Sequence, residues 1–164
     1  MAGGKTRVLM VCTGNICRSP TAEGVLRKKL RAAGLHKQVE VASAGTTGYH
    51  SGEPPDARAI KHAAARGYDL SRLRARRVSR DDFQRFDWLL ALDESHLASL
   101  RQIAPAEGGA RIGLLMEHAT RHAGTPEVPD PYYGAPAGFE RVLDLVEDAC
   151  DGFVERMRRE LGTS

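Results

Sequence analysis

Four short apolar runs, each separated from the next by a helical pattern, most narrowly limit what this chain can fold into. Residues 7–12 (RVLMVC), 39–44 (VEVASA), 88–92 (WLLAL) and 110–115 (ARIGLL) have the length of strands. The first and third are nearly continuous in apolar residues. A strand that is apolar on both faces has to be covered on both, as in a parallel sheet flanked by helices. Helical signals fill the gaps. Residues 19–33 begin with Ser19 as a cap and Pro20 in the first turn, and stop at Gly34. Residues 56–66 are alanine-rich and end at Gly67. Residues 79–82 (SRDD) open a short helix, and Asp93 and Glu94 suit the N-terminus of a helix over 93–103. The last helix is marked by Phe139, Val142, Val146, Phe153 and Met157 at helical spacing.

This alternation predicts an α/β fold. We expect a single domain over residues 1–164, with a central four-stranded, twisted parallel sheet and helices on both faces. The 164 residues suffice for one buried core, and 41% hydrophobic with 27% charged residues is a globular balance. Residues 45–55 and 117–136 read as long loops, which often carry function. Three cysteines are too few and too odd in number for a disulfide framework, and suit a reducing compartment. The net charge of +3 favours anionic partners only weakly and gives no reason to expect nucleic acid. No stretch approaches the roughly 18 apolar residues of a membrane span, and the N-terminal MAGGKTRVLMV holds too short an apolar run for a secretory signal. The sequence reads as a cytoplasmic monomer with no membrane partner.

In an open α/β sheet, ligands bind beyond the carboxyl ends of the strands. The loop after the first strand, Cys12 to Ser19, therefore sits at a helix N-terminus, where amides are unpaired and the dipole is positive. Gly14 and Asn15 tolerate left-handed backbone, so the loop can turn several N–H groups toward one centre. This is a phosphate-binding loop after the first strand, with a thiol, Cys12, at its mouth and a guanidinium, Arg18, at its end. Amide dipoles and a nearby cation favour thiolate, but a free thiol at pKa ~8.5 gains at most roughly 30-fold in thiolate fraction from such activation. Enzymatic accelerations start near ~10⁶. The larger effect has to be stabilisation of charge on a reacting group, and the planar fork of Arg18 can grip two phosphoryl oxygens at once. Zinc binding by Cys12 and Cys17 is disfavoured by their spacing and the lack of a second cysteine pair. Nucleotide binding lacks its Gly-Lys-Ser/Thr. A purely structural turn leaves Cys12 and Arg18 unexplained.

The run Cys12-Thr-Gly-Asn-Ile-Cys-Arg-Ser-Pro20 closely resembles the active-site loop of the low-molecular-weight protein tyrosine phosphatases. Ser43-Ala44-Gly45, Pro55-Asp56-Ala57-Arg58, Asp82-Phe83 and Leu92-Asp93-Glu94-Ser95 are also similar to that family, and Asp130-Pro131-Tyr132-Tyr133-Gly134 resembles its general-acid loop. The resemblance implies metal-independent hydrolysis of phosphotyrosine proteins or aryl phosphates, with no cofactor. Inorganic phosphate is the implied product and inhibitor. It further implies that Cys12 is the nucleophile and forms a phosphocysteine, and that Arg18 and the backbone of Thr13, Gly14, Asn15, Ile16 and Cys17 bind the phosphoryl group. By the same resemblance the Ser19 hydroxyl donates to the sulfur, Asn15 and Ser43 brace the loop, and Asp130 serves as general acid and then base. Tyr132 and Tyr133 wall the pocket opposite Tyr49, which stands where the family often carries tryptophan.

Other features read more plainly. Cys150 lies in the apolar stripe of the last helix and reads as a core thiol. His118 and His122 read as a surface pair without metal, the basic run 71–77 (SRLRARR) as a solvated face, and Trp88 as core. Cys17 is a candidate redox partner of Cys12. Two competing functions remain for comparison. An arsenate reductase with a similar loop needs further redox cysteines, and only Cys150 lies downstream. A phosphate-binding module without turnover needs neither Cys12 nor Asp130.

Overall fold

The computed structural model describes residues 4–162. The reading of the extreme N-terminus falls partly on residues 1–3, which, with 163–164, lie outside the described residues. Strands β1 (Thr6–Cys12), β2 (Val39–Gly45), β3 (Trp88–Ala91) and β4 (Arg111–Leu114) form one sheet in the order β2-β1-β3-β4. All three pairings are parallel. Five helices accompany it: α1 (Arg18–Ala32), α2 (Ala57–Ala65), α3 (Asp82–Arg85), α4 (Glu94–Ile103) and α5 (Pro136–Leu161), with a 3-10 turn at Leu115–His118.

Side chains alternate across β1, so its apolar run feeds two separate cores. Val8, Met10 and Cys12 face a large cluster with Leu26 of α1 and Phe153 of α5. Leu9 and Val11 face a smaller one with Phe83, Leu97 and Leu100. This is the expected α/β fold with both faces covered. From β1 the chain moves out to β2, then returns to β3 on the other side of β1. The carboxyl ends of β1 and β3 thus flank the point where the strand order reverses, the usual ligand crevice of such sheets.

Some local expectations shift. Helix α1 begins at Arg18 with Cys17 as its cap residue, and no side chain caps it. Ser19 lies inside the first turn instead of capping it, because its hydroxyl is engaged with Cys12. The basic run is more than a solvated face. Arg76 O accepts from Gly45 N, and Val78 N donates to Gly45 O, so this strip is stitched along the end of β2. Trp88 is core, edge-on to Phe153 and stacked by Arg111 and Arg156. His118 packs against Trp88 and Phe153 while His122 bonds Asp148, so the two histidines serve different contacts. Among the described residues no cluster of His, Cys, Asp or Glu is placed to hold a metal, and no helix is long and apolar enough to cross a membrane.

Helix α5 fixes the long loop before it. At Gly152 a Cβ would lie 1.7 Å from the His118 carbonyl oxygen, so only glycine allows this approach. One turn earlier, buried Asp148 accepts from the backbone N–H groups of Thr120, Arg121 and His122 and from His122 Nδ1. Burial alone would raise its pKa, but these donors outweigh that and hold the carboxyl well below the usual range. A depressed folded-state pKa adds stability above the unfolded value of ~3.9 and loses it as pH falls below that. Asp148→Asn is therefore expected to lower stability by about 2–3 kcal/mol at pH 7. In thermal melts between pH 7 and pH 3, the gap between the two proteins should narrow below about pH 4.

Candidate active site

The sequence places Cys12 at the last position of β1, and the loop that follows has nowhere to send its amides. Cys12 O accepts from Thr46 N, Thr13 O from Thr47 N, and Ile16 O from Asp56 N, all at 2.8–3.0 Å. These carbonyls are thereby turned outward to the neighbouring loops. None of the backbone N–H groups from Thr13 to Arg18 finds an acceptor among the described residues. Six unpaired donors at the mouth of a helix are an anion site by construction. Of the two residues expected to take left-handed backbone, only Asn15 does, at φ 59°. Gly14 has a negative φ, and a Cβ there would stand 3.0 Å from the His50 ring, close enough that the ring would have to shift.

Asn15 is held in that conformation by its own amide. Its Oδ1 accepts from Arg76 N, which can only donate, and this fixes the direction of the whole network. Nδ2 then donates to Ser43 Oγ at 2.9 Å and to Ser19 Oγ at 2.8 Å. Ser43 passes its hydrogen to Glu23 Oε1, which Arg27 neutralises on the outer side. Ser19, already an acceptor, can give its hydrogen to Cys12 Sγ, 2.9 Å away, with Ala44 O a longer alternative at 3.5 Å, and Ser19 N approaches the same sulfur at 3.4 Å. The sulfur thus faces two donors and no acceptor in this network.

Arg18 is 4% exposed and is held from behind. Its Nη1 donates to Asp93 Oδ2 at 2.9 Å and to Val128 O at 3.1 Å. Asp93 also caps α4, accepting from His96 N and Ser95 Oγ. Burial opposes its ionisation, yet those bonds, His96 and Arg18 together hold its pKa below the ordinary value. Asp130, more than a hundred residues beyond Cys12 in sequence, lines the same cleft, with Oδ2 3.8 Å from Arg18 Nη2. Its Oδ1 accepts from Tyr132 N, which fixes the carboxyl at the start of the turn.

A cleft of about 230 Å³ opens over the sulfur, lined by the loop, Tyr49, His50, Asp130, Tyr132 and Tyr133. That is smaller than the ~300–1,000 Å³ of sites for drug-sized ligands, and suits one phosphorylated ring. Tyr132 and Tyr133 pack edge to face, 4.9 Å between centroids, and Arg58 lies over Tyr132. Tyr49 and Tyr133 are 86% and 93% exposed, so they stand on the rim. Cys17 is buried in the same cleft, and burial, then the charge of Asp56, pushes its pKa up to about 12. Every expected site residue is brought to this one place, with Ser43 bracing from β2.

The comparisons agree with this geometry. The family described as Low molecular weight phosphotyrosine protein phosphatase matches residues 7–163. The chain belongs to that family. A low molecular weight protein-tyrosine-phosphatase of Streptomyces coelicolor is 45% identical over 94% of this chain and 95% of its own. A crystal structure of a protein tyrosine phosphatase from Entamoeba histolytica with Hepes in the active site superposes with TM-score 0.89, at 38% identity, over 96% of this chain and 99% of that one. Vibrio vulnificus Wzb, solved in complex with benzylphosphonate, superposes with TM-score 0.80 at 30% identity, over 93% and 99% of the two chains.

Two residues of this low molecular weight phosphatase's site were not picked out as site residues from sequence. Asp93 was legible as the start of a helix and as part of the family-like run Leu92-Asp93-Glu94-Ser95, with no role in the site attached. His96 lies on that helix, buried at 1% exposure, with Nε2 2.7 Å from Thr13 Oγ1 and 3.4 Å from Arg18 Nη2. The cap signal at Asp93, one residue past a strand end, was the available clue. Asp93→Asn keeps an acceptor for the cap but removes the counter-charge of a buried guanidinium. Urea unfolding is expected to show a loss near the lower end of the about 3–5 kcal/mol typical when one partner of a buried pair is removed. An unchanged midpoint would mean that the charge of Asp93 is not needed to hold Arg18.

Proposed function

We propose that the protein hydrolyses phosphotyrosine, in proteins or as small aryl phosphates, through a phosphocysteine and without metal. One observation supports this reading above the others: the backbone N–H groups from Thr13 to Arg18 have no acceptor among the described residues, and that loop lines one cleft with Cys12, Arg18 and Asp130. In the first step the Cys12 thiolate attacks phosphorus and the bond to the aryl oxygen breaks. Asp130 gives its proton to that oxygen, so a neutral phenol leaves. In the second step Asp130 takes a proton from water as its oxygen attacks phosphorus. The S–P bond breaks, and the electron pair returns to a sulfur held by Ser19 Oγ and Ser19 N. The equatorial oxygens stay throughout on the loop amides and Arg18, which supply the positive charge that metal ions provide in other phosphoryl-transfer sites. Inorganic phosphate leaves, and at high concentration competes for the same amides.

Arsenate reduction is the weaker reading, because the downstream thiol, Cys150, is fully buried in α5 and burial pushes its pKa up. For Cys17, which lines the cleft beside Cys12, we infer a protective role. If peroxide converts Cys12 to its sulfenic acid, the Cys17 thiol can displace water and form a Cys12–Cys17 disulfide. The three unpaired thiols suit a reducing compartment such as the cytoplasm.

Turnover of p-nitrophenyl phosphate with chelator present tests the reaction. Wild type should be active and Cys12→Ser inactive. Asp130→Ala should fall by about 10²–10⁴, the usual worth of a positioned proton donor, and by less on substrates with more acidic leaving groups. Full activity in Cys12→Ser would disprove the phosphocysteine. For Cys17, mass spectrometry after mild peroxide should find the Cys12–Cys17 link. Over-oxidised Cys12 without that link would remove the protective role.

A further inference from the structure

His96 is buried against the phosphate-binding loop, yet neither chemical step uses it. It sits in the first turn of α4, on the far side of the strand-order reversal from Cys12. The groups facing its ring come from four elements: Thr13 of the loop, Arg18 of α1, Asp93 at the cap of its own helix, and the charge of Asp130 across the cleft.

The partners determine which nitrogen carries hydrogen. Nε2 faces Arg18 Nη2 at 3.4 Å, and a guanidinium only donates, so that nitrogen must offer its lone pair. The Thr13 hydroxyl, 2.7 Å away, then donates to it as well. In a neutral ring the hydrogen is on Nδ1, which stands 3.1 Å from Asp93 Oδ1, off the angle for a hydrogen bond. The other tautomer would aim N–H at a cation and a lone pair at a carboxylate. Two independent contacts therefore select the same form. Burial, then the charge of Arg18, lowers the pKa of His96 to about 4 against the pull of Asp93 and Asp130, so the ring is neutral at physiological pH.

We propose that neutral His96 is a positioning residue: the Thr13 hydroxyl holds its ring in place, and its Nε2 lone pair orients Nη2 of Arg18 so that the remaining N–H of that nitrogen faces a bound phosphoryl group. Asp93 and Val128 O consume Nη1, so they fix where the guanidinium lies. Only His96 accepts from Nη2 within hydrogen-bond range among the described residues, so it fixes how the plane is turned. Bidentate recognition depends on that turn more than on distance, because both N–H vectors must point at the two oxygens together. Asp130 Oδ2 stands 3.8 Å from the same nitrogen, outside hydrogen-bond range. The inference rests on the phosphatase reading for its consequence in turnover, but its anion-binding part stands alone.

The test compares His96→Gln, which keeps an acceptor oxygen at similar reach, with His96→Leu, which keeps bulk and removes the lone pair. Calorimetric binding of tungstate and steady-state kinetics with p-nitrophenyl phosphate supply the readouts. His96→Leu should weaken tungstate binding and raise KM about tenfold or more, with kcat falling as well. His96→Gln should stay within about threefold of wild type in both. Equal tungstate affinities for the two variants would overturn the proposal, whether both were impaired or both normal. If neither variant folds, ring nitrogen chemical shifts of the wild type decide. A hydrogen on Nδ1 from pH 5 to 7.5, with the Nε2 signal shifting when tungstate binds, is the expected result. A hydrogen on Nε2, or protonation near pH 6.5, would refute it. A wild type that binds tungstate but never turns over would sink the phosphatase reading while leaving this inference intact.

Discussion

The loop between β1 and α1 carries positive potential that its own fold leaves unneutralised. In most short loops, amides satisfy one another or are satisfied by side chains. Here the carbonyls of Cys12, Thr13 and Ile16 are taken by Thr46, Thr47 and Asp56, so they cannot fold inward onto the amides. The first turn of α1 lacks a side-chain cap, for the same reason that Ser19 is absent from the cap position. What remains is a run of donors open to solvent or to an exogenous anion. The rest of the site is arranged to keep that run open.

Holding it open requires strain and bracing. Asn15 adopts a conformation that disfavours any side chain by roughly 1 kcal/mol, and three hydrogen bonds to its amide offset this. One of the three comes from the backbone of the basic run, which explains why a strip of arginines is stitched beside β2. Gly45 has a matching role. A Cβ there would lie 2.6 Å from Thr13 O, so β2 can close against the loop only without a side chain. The nucleophile, its brace and the sheet edge form one connected unit.

This connectivity explains what the sequence made legible. Residues close together in the chain, from Cys12 to Ser19, announced themselves through local rules: a strand end, permissive backbone and a helix start. The four strands followed from apolar runs, with ends correct to within a residue or so. Asp130 was found by its resemblance to a known loop, because nothing in periodicity links it to Cys12. Asp93 and His96 escaped as site residues for a topological reason. They approach the loop only because β3 returns to the far side of β1, and strand order is not written in any local pattern. The capping role given to Ser19 failed because a hydroxyl cannot both cap a helix and face a sulfur, and composition does not say which partner wins.

The charge balance around Arg18 shows how the site stays stable while empty and still binds an anion. A buried guanidinium with no counter-charge would destabilise the fold by several kcal/mol. A guanidinium with its whole fork bonded to carboxylates would have nothing left for phosphate. The structure divides the two demands between the two ends of the fork. Asp93 neutralises Nη1 at hydrogen-bond distance from behind, while Asp130 stays 3.8 Å from Nη2, near enough to share its field and too far to bond. A neutral acceptor at Nη2, the His96 ring, orients that end without adding negative charge that would repel the substrate. Replacing it with a carboxylate would hold Arg18 more tightly and weaken the attraction for phosphate, so an uncharged lone pair is the group that meets both demands.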